Sequence, residues 1–246
     1  MEQRSYLHEN ATLDVTMFNK AQIRKVKIAK AAMRLIREQG YLQFSMNELA
    51  KEVEVTAGTL YRTFASKDDL LVYLFSSVIE TLAESMYKFG RMDLSTKEKI
   101  VCCHCYQFYL RQFYPDSASL DLIGTNKAIF NQARPETREK FKRIFDMSTI
   151  RFKKQFSDLV DSGKVKADKE LLFQVLRQMT LIGRGGMVIS NHVFIPQDTF
   201  KIEDLISLCC HTLDQLDWQG DEGRADKRLI LLALRSEVEQ SVSELW

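Results

Sequence analysis

Hydrophobic positions recur along this chain at spacings of three and four, the period of helices that bury one face. From Lys20 to Gln39 the residues Ile28, Ala31, Ala32, Leu35 and Ile36 share one side, and Gly40 follows as a stop. Ser45, with Glu48 three residues on, has the capping-box pattern and opens a helix of barely two turns. Its Leu49, Ala50 and Val53 face inward, and the pattern breaks at Glu54. Thr56 caps a third short helix through Phe64, and a further capping box, Ser66 with Asp69, starts a long helix toward Phe89.

Starts and stops at helical lengths continue beyond Gly90. Ser95 with Glu98 opens a helix to Phe113, with Pro115 behind it, and another is expected over Ser117–Gln132. Pro135 suits the first turn of a long helix to Ser162, on which Phe141, Phe145, Ser148, Phe152, Phe156 and Leu159 form a stripe ended by Gly163. Asp168 caps a helix through Val193. A helix over Asp198–Trp218, a turn at Gly220–Gly223 and a last helix from Asp226 to Trp246, striped by Leu231, Leu234, Val238, Val242 and Leu245, complete the chain. No period-two alternation of half-buried strands occurs, so the expected class is all-α.

Composition narrows the function classes. The chain has 246 residues, 45% of them hydrophobic and 28% charged, an ordinary globular balance with enough apolar residues for a core. No signal-like apolar segment opens the sequence and no apolar run reaches the roughly 18 residues of a membrane span, so a cytoplasmic protein without membrane contact is expected. Five cysteines in two adjacent clusters, Cys102, Cys103, Cys105 and Cys209, Cys210, are expected as free buried thiols. Their spacing, even with His104 and His211 beside them, lacks a metal-ligand pattern. No metal and no cofactor is implied. An enzyme is disfavoured by the lack of a phosphate loop, a nucleophile elbow or an HExxH motif. A helical adaptor would leave the charge distribution without a use. Net charge is only +2, yet residues 20–67 hold ten basic and four acidic side chains, a head of +6 on a body of −4. A basic head of this kind is what phosphate binding leaves in a sequence, although a solvated helix face leaves the same trace.

Two short helices joined by a tight turn, the second about as long as a major groove is wide, meet the geometry of a helix-turn-helix. The residues add more: Gly40-Tyr41, Phe44-Ser45, Glu48-Leu49-Ala50, Val55-Thr56 and TAGTLYRTFASKDDL from Thr56 to Leu70. Over residues 23–72 the chain closely resembles the N-terminal signature of the tetracycline-repressor (TetR) family of transcriptional regulators. One departure is Thr63, where a bulkier His or Tyr is common, which bears on the operator sequence and not on DNA binding. Residues 1–19 lack sustained periodicity and read as a loose arm or a short extra helix; the resemblance implies a three-helix DNA-binding domain over 20–67 and a helical ligand-binding and dimerisation domain over 68–246. The last helix, about 224–246, is additional to that plan.

For the DNA-binding residues, Ser45 and Thr56 stand at helix N-termini, where capping and a phosphate contact are compatible. Ala57 and Gly58 keep the start of the recognition helix slim, and Thr59 can meet a phosphate or a thymine methyl. Tyr61 and Arg62 lie outward if Leu60 and Phe64 lock the helix to the core. The resemblance gives Tyr61 to the DNA backbone; Arg62 is the candidate reader of guanine O6 and N7, and Lys67 the candidate phosphate anchor. The helix from Ser95 is apolar nearly all round and must be central. The resemblance places a small apolar or aromatic ligand among the helices behind the head, with Cys105, Tyr106, Phe108, Tyr109, Phe113, Ile129, Phe130, Phe145, Phe152 and Met179 as candidate walls, or else as ordinary core. It also implies a homodimer through the helices at about 168–193 and 198–218. The whole implies a repressor released from a palindromic double-stranded DNA operator when the ligand binds. Gly183, Gly185 and Gly186 weaken their helix, so close helix approach or a kink is expected there.

Overall fold

The structure is a computed structural model describing residues 20–113, 124, 126–190, 192, 194–196 and 198–245, with side chains through Ser241. The expected arm over 1–19, Pro115, the start of the helix expected at Ser117, Val193, and the side chains of Val242 and Leu245 lie outside the described residues. Ten α-helices and one two-residue ladder occur among the described residues, and the chain divides into two compact units at Leu70–Leu71.

The first unit holds α1 (Lys20–Gln39), α2 (Met46–Glu52), α3 (Ala57–Thr63) and the start of α4 (Lys67–Arg91), inside which the division falls. Ile28, Ala32, Leu49, Leu60 and Phe64, marked by the helical spacing, are fully or almost fully buried, and Phe44, ahead of α2, is buried with them. Gly40, at φ +80°, turns the chain out of α1 and donates its N–H to the Ile36 carbonyl at 2.8 Å. The turn between α2 and α3 is less expected. Glu54 takes the left-handed conformation there, at φ +58°, with Glu54 N–H on the Lys51 carbonyl and Val55 N–H on the Ala50 carbonyl. That is a Schellman ending with a glutamate where glycine costs least.

In the second unit α5 (Thr96–Phe113) is the hub. It packs against α8 (Lys169–Ile189), α9 (Ile202–Leu213) and α10 (Lys227–Leu245), which is why it is apolar on nearly every side. Both of its ends are tied by buried charges. At the start, Glu98 accepts from the Ser95 backbone N–H at 2.7 Å and, with its other oxygen, from the Asp226 N–H at 2.8 Å, joining the first turns of α5 and α10. Toward the other end, Arg111 donates to the carbonyl of Ser190, the C-terminal cap of α8, at 2.8 Å, which places a cation at the negative end of that helix.

Helices α6 (Lys127–Gln132) and α7 (Pro135–Asp161) precede α8. Four helix limits differ from expectation: within the helix expected over Ser117–Gln132, Asn126 is an extended cap whose side chain accepts from the Ala128 and Ile129 N–H groups, so α6 begins only at Lys127. The Asp168 helix stops at Ile189, where Arg111 satisfies its end, and α9 covers only Ile202–Leu213 of the expected Asp198–Trp218. The expected turn at Gly220–Gly223 is a single 3-10 turn. One element departs from the all-helical expectation: Val165–Lys166 pairs antiparallel with Asp217–Trp218. A final correction concerns α4, which is long and apolar enough to cross a membrane by length and composition, although 44% of that stretch is buried inside the protein.

Candidate DNA interface and ligand cavity

The recognition segment is organised by hydroxyl groups. Thr56 caps α3 by accepting from the Thr59 N–H at 3.2 Å, and the two hydroxyls share a hydrogen bond of 3.0 Å. Arg62 donates to the Thr59 hydroxyl oxygen at 3.1 Å, so Thr56, Thr59 and Arg62 form one polar row along the helix. Thr63 returns its hydroxyl to the Thr59 carbonyl at 3.0 Å. Leu60 and Phe64 anchor the inner face while Thr56, Ala57, Gly58, Tyr61 and Arg62 are exposed. A side chain at Gly58 would meet nothing within 4 Å, so the front of α3 is bare. These are the features base-edge contact needs: a narrow helix start with a positioned guanidinium one turn behind it.

Ser45 and Lys67 do more than face solvent. Ser45 completes its capping box, with Glu48 N–H on Ser45 Oγ at 3.2 Å and Ser45 N–H on Glu48 Oε2 at 2.9 Å. The hydrogen bonds from Ser45, backbone first, hold the Glu48 carboxyl below its usual pKa. The Lys67 ammonium donates to the carbonyls of Leu42 at 3.1 Å and Phe44 at 2.7 Å and lies 4.2 Å from the Phe44 ring centroid. Desolvation draws its pKa down, with Asp68 and Glu48 opposing. Lys67 therefore clamps the loop ahead of α2, a role the sequence reading missed. Two of its three N–H donors are committed, and one direction is left for a phosphate. Other cations of the head also serve its fold: Arg34 pairs with Glu52, Lys27 donates to the Val53 carbonyl at 3.3 Å, and Lys25 lies 5.3 Å from the Phe64 ring.

In the second unit a cavity of about 710 Å³ opens among α4, α5, α7 and α8. Of the ten candidate wall residues, Tyr106, Phe108, Phe145, Phe152 and Met179 line it. The other five do not. Cys105 is sealed in the core with its sulfur 3.9 Å from that of Cys209. Tyr109 turns to a second groove beside Phe200, Leu231 and Arg235, and Phe113 is half exposed against the Tyr109 ring. Phe130 packs on Phe141, and Ile129 is likewise absent from the cavity wall. Phe130 is apolar for its contact with Phe141.

The wall also contains residues the sequence reading left out: His104, Gln107, Thr180 and the cations Lys153, Arg177 and Arg184. These polar and cationic groups stand among a majority of apolar side chains. Burial pushes the Cys103 thiol, also on this wall, up to about 12, and likewise raises Cys102, Cys105 and Cys210, leaving weakly reactive apolar sulfurs. Two of the three α8 glycines lie against α5. A methyl at Gly183 would sit 3.5 Å from the His104 carbonyl and one at Gly186 at 3.5 Å from the Phe108 ring, so the helices approach closely beside the cavity.

Comparison with known proteins agrees with this geometry. The profile for bacterial regulatory proteins, tetR family, matches residues 28–74. A fatty acid metabolism regulator protein of Bacillus subtilis (strain 168) is 25% identical over 191 residues, 78% of this chain and 92% of that protein. An HTH-type transcriptional regulator of Staphylococcus aureus (strain USA300) is 30% identical over 159 residues, 63% of this chain and 79% of that protein. Among solved structures, the transcriptional regulator FadR from Bacillus subtilis, in complex with stearoyl-CoA, superposes with a TM-score of 0.50 at 21% identity, covering 76% of this chain and 95% of that one, a likeness of fold. With the helix-turn-helix in place and these relatives spanning both units, the chain belongs to the tetR family of bacterial regulatory proteins, as a DNA-binding transcriptional regulator and not an enzyme.

Proposed function

We propose that the protein is a cytoplasmic homodimeric repressor that leaves a palindromic operator when an acyl compound with an anionic headgroup fills the cavity of the second unit. The observation that carries the ligand class is the composition of the wall: apolar side chains such as Phe108, Phe152, Leu176 and Met179 together with Lys153, Arg177 and Arg184. An acyl chain is suited to the first set and a phosphate-bearing head to the second. The likeness to a fatty acid metabolism regulator supports the same class.

On DNA, Arg62 reads a guanine, Tyr61 and Thr59 meet the backbone or a thymine methyl, and Ser45, Thr56 and the remaining Lys67 proton hold phosphates. A single head with a seven-residue recognition helix reads few bases, which favours two heads on symmetric half-sites. Dimerisation through α8 and α9 is supported by large exposed apolar residues there, Leu181, Val188 and Ile189 on α8 and Leu208 on α9. Gly185 lies between Leu181 and Val188 at spacings of four and three, and a methyl there would meet nothing within 4 Å, an open place for a partner helix to cross. The test is to select bound DNA from a random pool, then titrate stearoyl-CoA into the selected complex. Release with a 5–150-fold loss of affinity, the span of about 1–3 kcal/mol of coupling, is expected. Binding of stearoyl-CoA with unchanged DNA affinity would overturn the inducer reading.

A further inference from the structure

His104 gives the cavity a chemical preference that an acyl chain alone does not meet. Its Nδ1 lies 2.9 Å from the carbonyl of Ile100, one turn back on α5, and because a carbonyl can only accept, Nδ1 carries the proton. The ring nitrogen left over, Nε2, is then a lone-pair acceptor and points away from its own helix. The ring lies among Phe152 and Phe156, with centroids 5.9 and 6.5 Å away, and burial depresses its pKa, so the neutral form is the resident one.

Nε2 has no hydrogen-bond partner among the described residues. Nor is it one of the sealed, unpartnered side-chain atoms, which among the described residues are Tyr106 OH, Gln107 Nε2, Arg111 Nε and Glu237 Oε2. Since His104 lines the cavity, Nε2 opens on that space. Across the wall, Thr180 donates its hydroxyl proton to the Leu176 carbonyl at 2.9 Å, leaving its oxygen as a second acceptor. Two neutral acceptors in a largely apolar wall call for a donor, because an acceptor left against hydrocarbon loses the hydrogen bond that water would give it.

We propose that the cavity recognises its ligand through a hydrogen-bond donor, a hydroxyl or amide N–H, received by His104 Nε2. The proposal rests on the reading of this cavity as the ligand site. A hydroxylated acyl chain and the amide-bearing arm of a CoA thioester both supply such a donor; a plain ionised fatty acid does not.

The experiment is calorimetric titration of the full chain and its His104→Phe variant with three probes: octadecanoate, 12-hydroxyoctadecanoate and stearoyl-CoA. Phenylalanine keeps the ring packing against Phe152 and removes the acceptor. The expected result is a loss of about 5–100-fold in affinity for the hydroxylated chain, the CoA thioester or both, with octadecanoate unchanged. Loss on the hydroxylated chain alone assigns the donor to a hydroxyl, and loss on the thioester alone to an amide. His104→Gln, which restores an acceptor, should recover part of the loss. Equal effects on all three probes would reduce His104 to a packing residue and overturn the proposal, as would no effect on any. If the unaltered protein binds none of the probes, the acyl-ligand reading falls along with it; binding of all three with no preference removes only the donor proposal.

Discussion

Replacing Lys67 with methionine separates its clamp from its contact with DNA. The substitution keeps the length of the side chain and removes the ammonium that spans the Leu42 and Phe44 carbonyls. The exposed bond to Leu42 is worth little, about 0.5 kcal/mol, because water replaces it. The part-buried bond to Phe44, with the cation 4.2 Å from that residue's ring, contributes about 1 kcal/mol more. A loss of about 1–2 kcal/mol in the head follows. Tryptophan fluorescence would miss it, since the two tryptophans, Trp218 and Trp246, both follow the head in sequence. Amide hydrogen exchange at Leu49–Val53 reports it directly, as a 5–30-fold fall in protection. On DNA, the loss of one phosphate contact in each of two heads lowers the slope of log affinity against log salt by about 1.8. If the slope falls while exchange at Leu49–Val53 is unchanged, Lys67 is a phosphate anchor only and the clamp reasoning is wrong.

Glu54→Gly should stabilise the head by about 0.5–1 kcal/mol in thermal unfolding followed by circular dichroism, as relief of a left-handed residue exceeds the added freedom of the unfolded chain. Gly185→Arg should turn dimer into monomer in analytical ultracentrifugation while helix content is kept; a dimer of unchanged affinity rules out α8 crossing at that point. Arg62→Ala should relax the preference for one base in each half-site at a cost of about 1–3 kcal/mol, read by repeating the DNA selection. Lys164 and Thr96 hold the Glu222 carboxyl at about 2, below its usual value of 4.5. Its contribution is therefore present above pH 4.5 and disappears as pH falls toward 2. For a side chain one-third exposed this amounts to about 1–2 kcal/mol, so Glu222→Gln should flatten the acid limb of the urea-midpoint profile.

The head was legible because each of its boundaries has a local chemical cause. Ser45 with Glu48, Thr56 with Thr59, and Gly40 behind α1 are contacts between near neighbours, and short-range contacts leave patterns in a sequence. Where the cause is distant, legibility ended. The Asp168 helix stops at Ile189 because Arg111, 79 residues away, satisfies its end, and nothing between Ile189 and Val193 announces it. The Val165–Trp218 ladder is too short for a period to register. The cavity was half legible for a related reason. Periodicity marks which positions are apolar, but a residue facing a void and one facing a neighbour look alike, so Phe108 and Phe130 could not be separated. Grouped with the cysteines, His104 reads only as part of an incomplete metal set; its own signal is a polar residue one turn before Phe108 in the mostly apolar stretch Ile100–Leu110.

The position of α10 has a consequence for synthesis. The hub helix α5 is made well before α10, yet one of its sides is covered only by that helix, joined to it through Glu98 and Asp226, 128 residues apart. The head, by contrast, is built from contacts among nearby residues and can form as soon as it leaves the ribosome. A ribosome that stops short of α10 would release a finished DNA-binding head on a body with bare hydrocarbon along α5, an easy target for proteases. α10 thus marks the point in synthesis at which the core around α5 is sealed, and a chain that has not reached it is open to degradation although its head can already fold.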